Sequence, residues 1–290
     1  MKGPPTNVSR PSIDRDAASR LIAPLTALVA RAGSAILKVD RGNMRVDDKT
    51  DGSPVTEADL AADRIIADGL RQLTPDIPVL SEERAKPVAG CPEAFFLVDP
   101  LDGTKEFVAG RDEFTVNIAL VVGGTPLLGI IGAPALGLIW RGLVGQGAER
   151  LASGPERDRW QEGGAALPIR TRPFPSPGQP WVAATSRSHG DAASEAFIDA
   201  RPGAVRLRLG SALKLAKVAE GEVDIYPRLA PTSEWDIAAG HAIVVAAGGK
   251  VTDSAGGDLR FGAAKDFIVP AFIAWGDPAV RERPPNPVSS

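Results

Sequence analysis

Sulfur and imidazole are scarce in this chain. It has one cysteine, Cys91, which excludes an intramolecular disulfide and fits a reducing compartment. Its two histidines, His189 and His241, stand far apart in sequence. That argues against a multi-histidine zinc site and makes oxygen-ligated magnesium or calcium the natural metal for any acidic site. Charge of one sign is not in excess either: 33 basic against 36 acidic side chains leave a formal net charge of -3. Without a global basic field, general nucleic-acid binding is not expected. An anionic ligand would have to be held by local groups or by metal ions.

Long apolar runs are also missing. The most apolar stretch, Thr125 to Trp140, is broken by Pro126, Gly129, Gly132, Pro134 and Gly137, and it reads as two strands joined by turns. No segment is expected to span a bilayer. The polar, Pro-rich start from Met1 to Pro11 carries no secretory signal, so the expected location is cytoplasmic. What is present is an ordinary globular composition, 43% hydrophobic and 24% charged, over 290 residues. That length suits one large domain or two of common size.

The most informative stretch is Phe95-Phe96-Leu97-Val98-Asp99-Pro100-Leu101-Asp102-Gly103-Thr104-Lys105-Glu106-Phe107. Its first part reads as a buried strand ending in Asp99, with Pro100 stopping the ladder. Asp102 follows, Gly103 permits a tight turn, and Thr104 can open a helix. Two carboxylates at a strand end, beside free backbone N–H groups, suit a hard cation and a phosphate. Turn chemistry alone would select the same residues.

Further acidic clusters decide whether the stretch is more than a turn. An amphipathic helix is expected over Ala17 to Val39, with its true start near Pro24. Lys49 precedes a turn-rich segment, and Thr56 with Asp59 forms a capping box for a helix to Leu73 with Leu60, Ile65, Ile66 and Leu70 inward. Pro78-Val79-Leu80 is a short strand running into Glu82 and Glu83. If it neighbours the central strand, Glu82, Asp99 and Asp102 meet, which is costly without a cation. Strands follow at Phe114–Val122, Leu127–Ile131, Gly137–Arg141 and Gly147–Leu151.

The polar segment Ser153 to Gln179 marks a boundary between halves 14–152 and 153–277, with disordered tails at 1–13 and 278–290. The second half reads as β-α-β-α. Strands are expected at Trp181–Ala184, Val205–Leu209 and Val223–Tyr226, and helices over Asp191–Ala200, Ala212–Glu220 and Glu234–Ala246. Closing strands are expected at Lys250–Thr252 and Phe267–Ala274. Asp236 at a helix start is also compatible with a plain N-cap, and Lys214 and Arg228 with surface charges.

Taken in order, Lys49 with Asp59, Glu82, the Asp99–Thr104 motif and Trp235-Asp236 resemble the inositol monophosphatase superfamily over residues 17 to 276. Those enzymes are magnesium-dependent, lithium-sensitive phosphatases. Lys105-Glu106-Phe107, Ser186-Arg187-Ser188-His189, Gly210-Ser211-Ala212-Leu213-Lys214 and Tyr226-Pro227-Arg228 look most like its bacterial 3'(2'),5'-bisphosphate nucleotidases of the CysQ type.

The resemblance implies an α+β layered sandwich, αβαβα, of the inositol monophosphatase and fructose-1,6-bisphosphatase type. It implies hydrolysis of 3'-phosphoadenosine 5'-phosphate to AMP and phosphate in sulfate assimilation, with two or three Mg²⁺. Glu82, Asp99, Asp102, Asp236 and the Leu101 carbonyl would hold metal, and Lys49 would be accessory. Asp59 and Thr104 would position the attacking water. Gly103 and Thr104 would hold the transferred phosphate, and His189, Ser211, Lys214 and Arg228 the AMP portion. Ala212 and Ser233 depart from the family's usual serine and asparagine, which bears on substrate preference. A broader inositol or sugar phosphatase, a regulatory binding protein on the same fold, a homodimer and peripheral membrane association stay open.

Overall fold

The computed structural model describes residues 13–49, 54–84, 92–152, 166–188, 190–264 and 266–279. Cys91, His189 and nearly all of both expected disordered tails lie outside the described residues. The first half contains α1 (Arg15–Leu37), β1 (Val46–Asp48), β2 (Pro54–Thr56), α2 (Glu57–Leu73), β3 (Val79–Ser81), β4 (Ala94–Asp102) and α3 (Thr104–Val108). The meander β5 (Thr115–Val122), β6 (Thr125–Ala133), β7 (Leu138–Leu143) and β8 (Gly147–Ala152) follows, then β9 (Leu167–Ile169). The rest is β10 (Val182–Ser186), α4 (Ala192–Asp199), β11 (Val205–Leu209), α5 (Leu213–Ala219), β12 (Ile225–Arg228), β13 (Thr232–Ser233), α6 (Glu234–Ala246), β14 (Lys250–Thr252), β15 (Ile268–Val269) and β16 (Phe272–Trp275).

A seven-stranded sheet runs β3-β4-β5-β6-β7-β8-β9, and a five-stranded sheet runs β11-β10-β12-β16-β14. Helix α1 packs on α2 and on β5 to β7. Helix α6 packs on β4 to β8 and also on β14 and β16, so it lies between the sheets. Helix α5 joins it there against β10, β12 and β16, and α4 packs on β12. The layers are therefore helix, sheet, helix, sheet, helix, as the resemblance implied. The large sheet takes β9 from beyond residue 153, so it crosses the boundary expected there.

Period-two alternation explains the continuous apolar run of β4. Phe95 and Leu97 enter the core between the sheets, and Phe96 and Val98 enter the core under α1 and α2. Gly129 in β6 has no room for a side chain. A Cβ there would lie 2.1 Å from the Ala239 carbonyl oxygen of α6, so this glycine sets how closely helix and sheet approach.

Several expectations need correction. Helix α1 starts at Arg15, capped by Asp14, whose carboxylate accepts from the Ala17 N–H at 2.7 Å. Pro24 sits inside it. A proline in a helix interior costs about 3 kcal/mol, which burial of Leu25, Leu28, Val29 and Ile36 outweighs at about 1.5–3 kcal/mol each. Helix α1, 23 residues long with an 18-residue window of mean hydropathy 1.4, has the length and composition of a membrane span, as core helices of soluble proteins also can. Here that apolar surface is taken up by α2 and the large sheet. Pro100 does not end β4; pairing with β5 shifts register between Asp99 and Asp102 and continues to Asp102. Leu60 faces outward, 44% exposed. Strand β12 extends through Pro227 to Arg228 rather than ending at Tyr226.

Candidate active site

Parallel pairing of β3 with β4 sets Ser81 opposite Val98, and the Glu82 N–H donates to the Val98 carbonyl at 3.1 Å. Glu82 therefore leaves the sheet beside Asp99. The register shift after Asp99 turns Asp102 to the same end, opposite Thr115. Gly103 follows with φ +90°, and α3 begins. From the other side α6 starts at Glu234 and carries Asp236 in its first turn; Ser233, not Asp236, is its N-cap. One cavity of about 370 Å³ is lined by Glu82, Asp99, Leu101, Asp102, Gly103, Thr104, Ser211, Lys214, Arg228 and Asp236.

Burial raises the pKa of Asp99 well above the carboxylate range, and Glu82, Asp102 and Asp236 add like-charge repulsion. Asp102 is pushed up to about 6 by burial against the pull of Lys214, with Glu82 adding to the rise. Asp236 is pushed up to about 8 by burial, then by Asp102 and Glu82. Each acid is tied to its own neighbour. Glu82 takes the Lys49 ammonium at 2.6 Å, which also bonds Glu83 at 2.7 Å. Asp99 accepts the Leu101 N–H at 3.0 Å, Asp102 the Asn117 amide at 3.4 Å, and Asp236 the Thr232 hydroxyl at 2.8 Å.

Asp59 is 1% exposed and completes the capping box of α2. One carboxylate oxygen accepts the Thr56 N–H at 2.7 Å and the Thr56 hydroxyl at 2.5 Å. The other lies 3.0 Å from the Thr104 hydroxyl, which is also 3.1 Å from the Leu101 carbonyl. Burial raises the Asp59 pKa against the bonds from Thr56 and Thr104. A carboxylate behind a hydroxyl that lines the cavity is a proton relay in waiting.

The opposite wall is basic. Lys214 on α5 is 5% exposed, with Nζ 2.5 Å from the Ser211 carbonyl and 5.5 Å from the Tyr226 ring centroid. Burial pulls its pKa down to about 8 against Asp102 and Glu106. Arg228 on β12 joins it in the lining. The Ser211 hydroxyl is turned to backbone, 2.9 Å from the Asp102 carbonyl and 2.8 Å from the Glu113 carbonyl.

The sequence profile of the inositol monophosphatase family matches residues 17–282. The 3'(2'),5'-bisphosphate nucleotidase CysQ of Escherichia coli K12 is 41% identical over 250 residues, covering 84% of this chain and 95% of that one. This chain belongs to the inositol monophosphatase family. The CysQ of Buchnera aphidicola is 35% identical over 263 residues, or 88% of this chain and 93% of that one. The crystal structure of CysQ from Bacteroides thetaiotaomicron superposes with a TM-score of 0.74 at 34% identity, covering 89% of this chain and 97% of that one. An inositol monophosphatase from Zymomonas mobilis gives 0.70 at 28% identity, covering 90% and 94%.

Phosphatases of this family depend on magnesium in general. The residues present fit such an ion in kind: the donors are hard oxygens, and burial among like charges leaves them short of a cation. Among the described residues no three acidic, histidine or cysteine side chains gather closely enough for one ion, and Glu82 and Asp236 are held instead by Lys49 and Thr232.

Sequence reasoning missed Glu106, Tyr226 and Thr232 as lining residues. Glu106 is 4% exposed and accepts the Ser188 hydroxyl. Nothing local separates it from an ordinary glutamate on a short helix; its burial comes from the second half of the chain closing over it.

Proposed function

We propose that this chain is a Mg²⁺-dependent 3'(2'),5'-bisphosphate nucleotidase that hydrolyses the 3'-phosphate of 3'-phosphoadenosine 5'-phosphate, giving AMP and phosphate. The observation that carries the reading is that a single cavity joins an acidic wall, from β3, β4 and α6, to a basic one, from α5 and β12. A substrate with a phosphate at each end meets both walls. The relatives named CysQ are bisphosphate nucleotidases, which supports the same substrate.

Glu82, Asp99, Asp102, Asp236 and the Leu101 carbonyl would hold two or three Mg²⁺, with Glu82 exchanging Lys49 for metal. When bound, the metal neutralises the transferred phosphate and activates water. The chain's own residues do the rest. The Thr104 hydroxyl accepts a proton from the attacking water and passes its own to Asp59, whose raised pKa suits it to the task. The backbone N–H groups of Gly103 and Thr104 hold the transferred phosphate. Lys214 and Arg228 meet the 5'-phosphate through charge-assisted contacts. Ser211 would act here through the backbone it supports, and His189 would lie beside the AMP portion.

The test is phosphate release by purified protein with Mg²⁺, offered 3'-phosphoadenosine 5'-phosphate and inositol 1-phosphate in parallel, with and without lithium. Preference for the nucleotide and inhibition by lithium are expected. Preference for inositol 1-phosphate would overturn the nucleotide assignment, and no hydrolysis of either would overturn the activity.

A further inference from the structure

Two acids of the first half reach across to the second without joining the metal group. Glu106 on α3 accepts the Ser188 hydroxyl. Glu113, between α3 and β5, makes the larger set of contacts. Its two carboxylate oxygens take Arg187 in a fork, Nε at 2.7 Å and Nη2 at 2.8 Å. One of them also accepts the Gly210 N–H at 2.8 Å. Its carbonyl lies 2.8 Å from the Ser211 hydroxyl. Arg187 donates in addition to the Arg208 carbonyl at 2.9 Å, which fastens the end of β10 to β11.

The backbones meet here as closely as chemistry allows. A Cβ on Gly210 would lie 2.6 Å from the Glu113 carbonyl oxygen, and a Cβ on Gly103 would lie 2.2 Å from Ser211 Oγ. The turn that would hold the reacting phosphate therefore rests directly on the turn that leads into Lys214. One side chain, Glu113, sits where the loops at 187–188 and 210–211 converge. Its pKa is lowered: the bonds from Arg187 and Gly210 outweigh the opposing effect of burial. It stays charged, and it stays out of the cavity lining.

We propose that Glu113 is a positioning residue for nucleotide recognition, which locks the Arg187 and Gly210–Ser211 loops so that Lys214 stands at a fixed span from the Gly103–Thr104 turn. The inference rests on the nucleotidase reading, because only a substrate with two separated phosphates senses that span. Loosening the lock should cost binding of the remote phosphate more than turnover.

The experiment measures kcat, KM and Tm with 3'-phosphoadenosine 5'-phosphate at saturating Mg²⁺. Glu113→Gln keeps an acceptor for Gly210 but loses the charge and the fork to Arg187. Its KM should rise about ten-fold, the worth of one lost charge-assisted contact, with kcat within about three-fold and Tm nearly unchanged. Arg187→Glu sets two acids face to face and should raise KM further. The exchange Glu113→Arg with Arg187→Glu should recover part of that loss. A KM for Glu113→Gln within about two-fold of wild type would overturn the proposal, given that one tenfold step is about 1.4 kcal/mol. A KM rise that follows a fall in Tm and is not recovered by the exchange would also overturn it, leaving Glu113 a residue of the fold. Wild-type protein inactive on the nucleotide would instead bring down the nucleotidase reading and this inference with it.

Discussion

On the β4 wall of the cavity Asp99 is buried and Asp102 half-buried among other carboxylates; on the α5 wall Lys214 is buried too, facing Asp102 and Asp236 from across the gap. Burial acts on both walls, yet it raises the acids and lowers the lysine, so both drift toward neutrality. The acidic wall is overdrawn in one sign and calls for a cation from outside. The basic wall already has its counter-charges within the protein, at Asp102 and Glu106. On the proposed reading a metal completes one wall and the substrate the other, so removal of a residue should read out differently on each.

The largest effect is expected from the acidic wall. Asp102→Asn should lower kcat on 3'-phosphoadenosine 5'-phosphate by about a hundredfold or more, the usual cost of one preorganised electrostatic contact. Turnover retained at saturating Mg²⁺ would erase the distinction between the walls. Next comes the seam between them. Gly103→Ala places a side chain at φ +90° and against Ser211 Oγ, a strain of about 1–3 kcal/mol. It should cost about ten-fold in activity and lower Tm. Gly110→Ala, at φ +73° with open space around it, bears only the conformational part and should leave activity within about two-fold on the same scale.

Metal removal sharpens the contrast through pH. Asp102 and Asp236, raised to about 6 and about 8, keep their protons in the folded state where the unfolded chain has released them. Their stabilisation is full below the unfolded value of 3.8 and is lost as pH climbs through about 8. The Tm of protein treated with chelator should therefore fall between pH 5 and pH 8, and saturating Mg²⁺ should remove that slope. A slope that is the same with and without Mg²⁺ would deny the acids a metal.

The smallest effect belongs to the basic wall. Lys214→Ala should raise KM for the nucleotide with a lesser change in kcat. In the wild type, KM should rise above about pH 8 as Lys214 loses its proton, and the variant should lack that rise. An identical pH dependence in both would place the 5'-phosphate elsewhere.

The acidic wall was legible in the sequence because its residues sit within a few positions of a strand end or a helix start. Asp99, Asp102 and Thr104 share one motif, and Thr56 with Asp59 makes a capping box that could be read letter by letter. The αβαβα layering followed from family resemblance and from element order, not from any local rule. What could not be read was closure between distant segments. Glu106 is buried by Ser188 and its neighbours, more than eighty residues on. Glu113 finds Arg187 seventy-four residues away. Leu60 looked inward because apolar residues at helical spacing usually are, yet α2 already fills its core with Ala58, Ala62 and Ile66. Pro24 looked like a helix start because proline favours that place, but Asp14 supplies a better one.

Helix α1 also bears on how the protein is made. Its apolar face is synthesised before the elements that cover it, and α2 follows quickly to shield part of it. The strands that cover the remainder, β5 to β7, emerge roughly a hundred residues later, which at about 5–20 residues per second is on the order of 5–20 seconds. Until then the apolar face of α1 stands partly uncovered in water. The nascent chain is a natural client for a holding chaperone during that interval, and slowing synthesis between α2 and β6 should cost soluble yield before it costs anything else.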